Sequence, residues 1–593
     1  MRVPGHERKS YAWRWTAALA GLAVLSFALV MALVVTPAEH TQAANLVVDN
    51  TTDNGALTAC LAAAGDCSLR GDIINANGTV ATDGITFNIP AASCPGGVCT
   101  IPLGAPLPAL NDATHIITIT GPAGHTVVID GTGAGGDCFS ITSPGNTIRN
   151  LVINNCGGGG DGIEINAANG NTVAGNWIGI DATGILSRPN AGAGVHIVGA
   201  SFNNTIGGTA AGDRNIISAN GGAGIDIGAA AHTNIIRGNY IGTNAAGGVP
   251  LANGGGGIVA GGTGSNTIAG NVIGGNTGNG VDLGSTQNTV QGNSIGVNGT
   301  LILPNTVDGI HNTSGTNYIG GTTAGQGNVI AHNGVIGVNV VGGAAGIRQN
   351  STFLNVGVGI ANAAGPAFPV INPATFSGGV FHVTGTAPAS STVEVFVADP
   401  DGQEGQTYVT SYATDGLGNW GGDLCVSGAL AIVATATDTT TPNTSAFSVK
   451  RDLPGGSCAS AATATAVAAT STTAPTTAPA ATNTPVPTAT RTATPVPGAA
   501  TVGPMESVAL AGNVCNPVAS SYPDNTPIAT IAGAVSPSGI LVSIWWFDAA
   551  TLRWLGYDPL HPANPPSDLT LVDRLDAIFI CVSSAGTWSR PVI

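Results

Sequence analysis

The chain has 593 residues, of which 89 are glycine and only 8% are charged, and its formal charge is −16. An ordinary soluble domain is about 25% charged. Lysine occurs only at Lys9 and Lys450, which argues against nucleic-acid binding, since that needs clustered positive charge. Long surface helices with Glu- and Lys-rich faces are disfavoured on the same ground. An apolar content of 43% excludes disorder throughout.

At the N-terminus, Arg2, Arg8, Lys9 and Arg14 precede an uncharged run of 20 residues, Thr16 to Val35. A basic segment before an apolar one reads as an export signal, with acceptable cleavage sites at Thr36-Pro37-Ala38 and Thr41-Gln42-Ala43. The run is also long enough to span a bilayer, so an uncleaved anchor is the second reading. Either way the following chain is placed outside the cytoplasm, secreted or at the cell surface. Residues 1–44 are assigned to this signal or anchor, and any membrane contact is expected through it alone.

Between about Asp83 and Gly365 the sequence repeats. The phrase Gly-Φ-x-Φ, with Φ apolar, begins at Gly162, Gly194, Gly224, Gly257, Gly280, Gly309, Gly337 and Gly359. The mean spacing is about 28 residues, a solenoid period. A second phrase, N-T-Φ-x-G-N-x-Φ-G, begins at Asn171, Asn234, Asn266 and Asn288, and a third starts at Asn204 and returns at Asn317. Apolar and polar residues alternate within each phrase, which is the period of a strand. Gly and Asn at the corners tolerate positive φ. One unit per coil of a parallel β-helix explains the register. Coils spaced about 4.8 Å apart make a rod of about 50 Å. The asparagines heading the phrases are expected to form a corner ladder that satisfies backbone groups.

These repeats resemble right-handed parallel β-helix proteins, the architecture of pectate lyases and many bacterial surface proteins. Upstream, DCSLRGDIINAN (Asp66 to Asn77), followed by DGITFNIP (Asp83 to Pro90), is similar to the N-terminal CSLREA domain. Cys67, Ser68, Leu69, Arg70, Ile73, Ala76 and Asn77 match that motif, while Gly71-Asp72 stands in place of Glu-Ala. The resemblance covers residues 45–365 and implies a fold and export rather than an activity.

Residues 366–458 carry alternating strands with turn signals every 8–15 residues, as in FHVTGTAP and STVEVFVAD. This is the signature of a sandwich, and the segment resembles bacterial Ig-like modules. Residues 459–504 are almost wholly Ala, Thr, Pro, Val and Ser, a composition that buries no core and reads as an extended linker. Residues 505–593 are read as a small, disulfide-pinned β domain. It holds Trp545 and Trp546, consecutive on an expected strand, one facing in and one left for a ligand or an interface.

Ten cysteines in an exported chain imply disulfides. Connectivity stays open in the sequence, and nearest-neighbour pairing suggests Cys60–Cys67, Cys94–Cys99, Cys138–Cys156, Cys425–Cys458 and Cys515–Cys581. Neither CxxC nor HxxxH spacing occurs near them, so no metal site and no cofactor are expected.

Stacked coils bring the x residues of Gly-Φ-x-Φ into one outward column: Glu164, His196, Asp226, Val259, Asp282, His311, Asn339 and Ala361. Glu164 and Asp226 would lie two coils apart, about 9–10 Å, with His196 between them, near the upper end for an inverting glycosidase. These three are the candidate catalytic residues; Asp282, His311, Asn339, Trp545 and Trp546 are candidate ligand contacts. A solvent-facing sheet also needs polar outward residues, and the recurrence of Asp226 and Asp282 in near-identical phrases is how a scaffold behaves. A lyase needs a basic residue, and the arginines of the repeats lie at corners or consensus positions. Arg70-Gly71-Asp72 spells an adhesion tripeptide but falls where the CSLREA motif requires a structural arginine. The expected function is therefore a non-catalytic scaffold for adhesion or for binding a polysaccharide or cell-envelope glycan. The alternative is a polysaccharide hydrolase, less readily a lyase, using the Glu164/His196/Asp226 face.

Overall fold

The computed structural model describes residues 45–58, 65–426, 428–456 and 458 in full, and strands between residues 505 and 591 by their backbone. Two compact units are formed, Met1–Val467 and Ala468–Ile593. The expected signal segment and linker, and Cys60, lie outside the described residues.

From Asn45 to Asn362 the first unit is a parallel β-helix. Three parallel sheets of 11, 10 and 9 strands run along it, and each full coil contributes one strand to each. The first sheet extends from Asn45–Val48 to Ala344–Arg348, the second from Cys99–Pro102 to Ser351–Phe353, and the third from Phe139–Ile141 to Ile360–Asn362. A right-handed winding is the sense that parallel crossovers adopt almost without exception. The Φ residues point inward. Val195, Ile197, Ile225, Ile227, Ile258 and Val281 are fully buried in one continuous core running the length of the coils.

A core this narrow leaves backbone groups at each corner without a strand partner, and burying them unpaired is costly. Asparagine resolves this at three corners. The ladder headed by Asn171 continues through Asn204, Asn234, Asn266, Asn288 and Asn317, each side-chain carbonyl accepting the N–H of the asparagine one coil before. A second ladder passes through Asn176, Asn215, Asn239, Asn271, Asn293, Asn328 and Asn350. A third, with Asn220, Asn253, Asn276, Asn305, Asn333 and Asn355, lies beyond the second sheet. Only the first was anticipated. Asn350, which begins a glycosylation-type triplet, is a buried rung.

Both ends of the rod are closed. At the N-terminal end, Leu69–Ala76 forms an α-helix, the one such helix among the described residues, capped by the Ser68 hydroxyl accepting from the Gly71 N–H. Leu69, Ile73 and Ala76 plug the core. Arg70 grips Asp53 with two bonds of 2.6 and 2.8 Å and also donates to the carbonyls of Ala105 and Pro106. Asp72 is fully buried. The tripeptide Arg70-Gly71-Asp72 is thus a structural element and not a presented adhesion loop.

At the other end, two antiparallel four-stranded sheets built from Val370 to Asp452 share an apolar core that includes Phe381, Val383, Val393, Val395, Trp420 and Ile432. They seal the last coil through two buried carboxylates. Glu404 accepts the backbone and side-chain N–H groups of Asn355 at 3.1 and 3.0 Å, ending the third ladder. Glu394 accepts from Arg348 at 2.8 Å and from the Gln349 N–H at 3.1 Å.

Burial pushes Asp72 and Glu404, one at each end, up to about 7, with Asp49 and Asp66 adding to the effect at Asp72. The unfolded values are 3.8 and 4.5, so between about 4.5 and about 7 the folded chain holds protons that the unfolded chain releases. Stability from these two groups is gained as pH falls through that window and lost as it rises. The melting temperature of the first unit is expected to be higher at pH 5.5 than at pH 8, by about 2–4 °C for each kcal/mol. Changing Asp72→Asn together with Glu404→Gln should flatten the difference; an unchanged pH slope in that variant would refute the assignment.

Cys94–Cys99 and Cys138–Cys156 are disulfides, and Cys67 is disulfide-bonded. Cys425 and Cys458 are thiols in hydrogen-bond contact, contrary to the expected bridge. Cys458 is buried against the Leu424 carbonyl at 3.9 Å, whereas Cys425 is exposed. In the second unit Cys515 lies directly opposite Cys581 on paired antiparallel strands. Trp545 and Trp546 are consecutive on the strand Leu541–Asp548, and their side chains lie outside the described residues.

Candidate functional site

The outward column exists as a register. Strand pairing sets Glu164 beside His196, His196 beside Asp226, Asp226 beside Val259, Val259 beside Asp282, Asp282 beside His311 and His311 beside Asn339. Each is half-buried, because parallel neighbours about 4.8 Å away cover its flanks.

What the repeat phrase did not reveal is a second row beside the column, formed by residues just before each strand. Asp161 Oδ1 accepts the Ala193 N–H at 2.6 Å, and its Oδ2 meets His196 Nδ1 at 2.9 Å on the next coil. Asp137 accepts the Asp161 N–H, Asn279 that of Asp308, and Asp308 that of Ile336. Asp308 also takes the Asn339 amide at 2.8 Å, while Asn279 donates to Asp282 at 2.7 Å. Asp282 in turn meets His311 Nδ1 at 3.0 Å. The signal for this row was the residue preceding glycine in phrases such as GDGIEI, GNGVDL and VDGIHN. Its polar side chain sits where the next coil offers an unpaired N–H.

Electrostatically the column divides into two patches. In the first, Asp137, Asp161, Glu164 and Asp226 surround His196. The Asp161 carboxylate holds the imidazole above its ordinary range, aided by Asp226 and Glu164. Burial raises Glu164, with Asp137 adding to it, and Glu164 accepts bonds from Ser140 and Asn166 at 3.3 Å. Burial likewise raises Asp226, which His196 partly offsets. The second patch is Asn279, Asp282 and His311, linked side chain to side chain, with the Asp308–Asn339 pair joined to them through the Asp308 N–H. Val259 separates the two.

Three long insertions leave the coils at one corner, as hairpins around Ile180–Ser187, Thr243–Pro250 and Val297–Ile302. They occur on alternate coils and stack on each other. The Ala245 N–H donates to Gly184 O and the Asn298 amide donates to Gly247 O, both at 2.9 Å. They fold against the outer face of the second sheet rather than the column, over a cluster of Ile180, Ile216 and Ala219 with Trp177 and Tyr240. Trp177 is stacked on His125 with centroids 4.1 Å apart, and Arg214 lies 4.1 Å over the Tyr240 ring. Glycine is required where the first two hairpins cross a ring: a Cβ at Gly184 would come within 3.0 Å of Trp177, and one at Gly247 within 2.4 Å of Tyr240.

Three arginines of the coils are committed elsewhere. Arg149 pairs with Asp213 at 3.3 Å, Arg214 covers Tyr240 and Arg348 is bound to Glu394. No strand of the third sheet carries a lysine or arginine. Among the described residues, no group of three or more His, Cys, Asp or Glu is arranged to hold a metal ion, and no helix is long and apolar enough to cross a membrane. An open depression of about 430 Å³ lies on the antiparallel sheets, lined by Val397, Tyr408, Cys425 and Val426 among others.

No protein-family model and no curated protein matches the chain. Solved structures that it is similar to include one described as Geobacillus virus E2 ORF18, at 11% identity over 61% of this chain and 72% of that one, with a TM-score of 0.27. Another is the pectate lyase Pel9A, at 13% identity over 55% of this chain and 84% of that one, with a TM-score of 0.24.

Proposed function

We propose that the protein is an exported scaffold, secreted or held at the cell surface, whose β-helix presents a polar face for adhesion or for binding a polysaccharide or cell-envelope glycan without catalysis. In this reading residues 1–44 direct export and residues 45–365 are a CSLREA-type cap and right-handed β-helix. Residues 366–458 are an Ig-like module, 459–504 an extended linker and 505–593 a small β domain for spacing or attachment. Disulfides in the described residues accord with an oxidising compartment.

The observation that carries the reading is the fate of the acidic groups. Asp137, Asp161 and Asp308 accept backbone N–H groups of the following coil, and Asp161 and Asp282 each engage a histidine. Side chains so used hold coils in register and leave polar edges for hydroxyl-rich ligands. A hydrolase is the second reading, favoured by the raised carboxyls of Glu164 and Asp226 on either side of His196.

A glycan array paired with a reducing-sugar release assay tests both. Glu164→Gln with Asp226→Asn is expected to leave stability within about 1 kcal/mol, as each is a surface change of about 0.5 kcal/mol or less, and to preserve glycan binding. Robust sugar release by the natural chain, lost by about 10²-fold or more in the double variant, would replace the scaffold reading with the hydrolase.

A further inference from the structure

Away from the β-helix, on the antiparallel sheets, a serine, a histidine and an aspartate are lined up across three neighbouring strands. Ser377 Oγ is 2.7 Å from His382 Nε2, and His382 Nδ1 is 2.5 Å from Asp423 Oδ1. We propose that these three residues form a nucleophile, a base and an orienting acid that cleave short-chain esters, acetyl esters of exposed hydroxyl groups being the substrate class.

The arrangement follows from the strands. His382 lies on the central strand Val380–Thr386, with Asp423 directly opposite it on Asn419–Leu424. Thr375 is its partner on the other side, which puts Ser377, two residues along, diagonally across the same face. The inner face of this strand is anchored by Phe381 and Val383, both essentially fully buried, and Phe376 meets Phe381 at 4.9 Å. The Tyr412 hydroxyl donates to the Asp423 carbonyl at 2.9 Å. The three polar side chains therefore stand on a rigid sheet, which is the support that a reacting group needs. The two ring nitrogens face the partners that a triad requires: Nδ1 meets the aspartate, which favours a proton there, and Nε2 meets the serine.

The turn after the serine is open. Gly378 and Gly379 both have positive φ, 61° and 82°, and a side chain built on either would meet nothing within 4 Å. The backbone N–H groups of this turn are the donors nearest in sequence for a developing oxyanion. The open surroundings offer no wall to hold a long acyl chain and none to exclude an alcohol that extends into solvent, so short acyl esters are the class assigned.

The chemistry balances with water as the only co-reactant. Ser377 Oγ bonds to the carbonyl carbon while its proton passes to His382 Nε2. The carbon–oxygen bond to the alcohol breaks, and His382 returns that proton to the departing alkoxide, leaving acetyl-Ser377. Water then attacks the acyl carbon, giving its proton to His382. The bond from the acyl carbon to Ser377 Oγ breaks, His382 returns the proton to that oxygen, and acetic acid departs and ionises in solvent.

The test uses the full chain. A fluorophosphonate probe should add to Ser377, located by peptide mass mapping, and p-nitrophenyl acetate should be hydrolysed with an initial burst of nitrophenolate. Ser377→Ala should abolish the adduct and the burst, and His382→Gln should lower turnover by about 10²-fold or more. Asp423→Asn should lower turnover while retaining some labelling, because it disturbs the tautomer and not the nucleophile. All three sites are at the surface, so melting temperatures should match the natural chain. Absence of an adduct at Ser377 in the natural chain, or equal hydrolysis by Ser377→Ala, would overturn the proposal. The mass-mapping result needs no variant to fold.

Discussion

Ile225→Asp is expected to prevent folding of the β-helix. Ile225 is completely buried, paired with Val195 on one side and Ile258 on the other, both equally buried. An ionised carboxylate there has apolar neighbours above, below and across the core, and removing it from water without a partner costs several kcal/mol even after partial relaxation. A domain's whole stability is about 5–15 kcal/mol. In a stack the damage also spreads, because each coil is stabilised mainly by its neighbours. Circular dichroism, thermal melting and the yield of folded chain would measure it. Val259→Thr, one coil away but outward and half-buried, serves as the control and should melt within a few degrees of the natural chain. Normal yield and normal melting of Ile225→Asp would contradict the inward register.

Asn271→Ala carries the second largest expected effect. The Asn271 side chain accepts from the Asn239 N–H and amide at 3.0 Å, and donates to the Ile236 carbonyl at 2.9 Å and to Asn293 at 3.0 Å. All of these groups are buried. Truncation leaves them facing a methyl group in a space closed to solvent. The Asn239 amide keeps the Ile206 carbonyl and the Asn293 side-chain oxygen keeps the Asn271 N–H, so the Asn239 N–H and the Ile236 carbonyl are the groups that suffer. At about 1–3 kcal/mol for each, a loss of about 2–6 kcal/mol follows, with part of it recovered if water enters. Chemical denaturation would read the loss directly. Asn298→Ala removes one bond, 2.9 Å, from a half-buried hairpin and should cost about 1 kcal/mol. Equal losses in the two variants would show that the ladders contribute no more than a surface contact.

Much of the β-helix was legible because it is repetitive. Gly-Φ-x-Φ specifies which side chains enter the core, and identical spacing from unit to unit specifies that equivalent residues stack. The column from Glu164 to Asn339 follows from those two facts alone. The ladder headed by Asn171 was legible for the same reason. The ladders through Asn271 and Asn276 were missed because their asparagines sit inside phrases whose glycines drew the reading toward turns. The helix Leu69–Ala76 was hidden by its brevity and by Gly71, a poor helix residue. Gly71 is needed there because a Cβ would fall 1.9 Å from the Leu57 carbonyl oxygen.

The sequence by itself determined the coil, its inside and its outside, since alternation and period are local properties that every unit states again. Tertiary structure decided which polar groups meet. Asp161 finds His196 at a separation of 35 residues, Asp308 finds Asn339 at 31, and Glu404 finds Asn355 at 49. Those separations depend on corner lengths and inserted hairpins that vary from coil to coil. Ser377, His382 and Asp423 belong to no repeat, and only the pairing of three antiparallel strands brings their side chains to one face. A period can be read along a chain, but a contact between side chains about 5 Å apart depends on register and corner geometry, which exist only once the strands have paired.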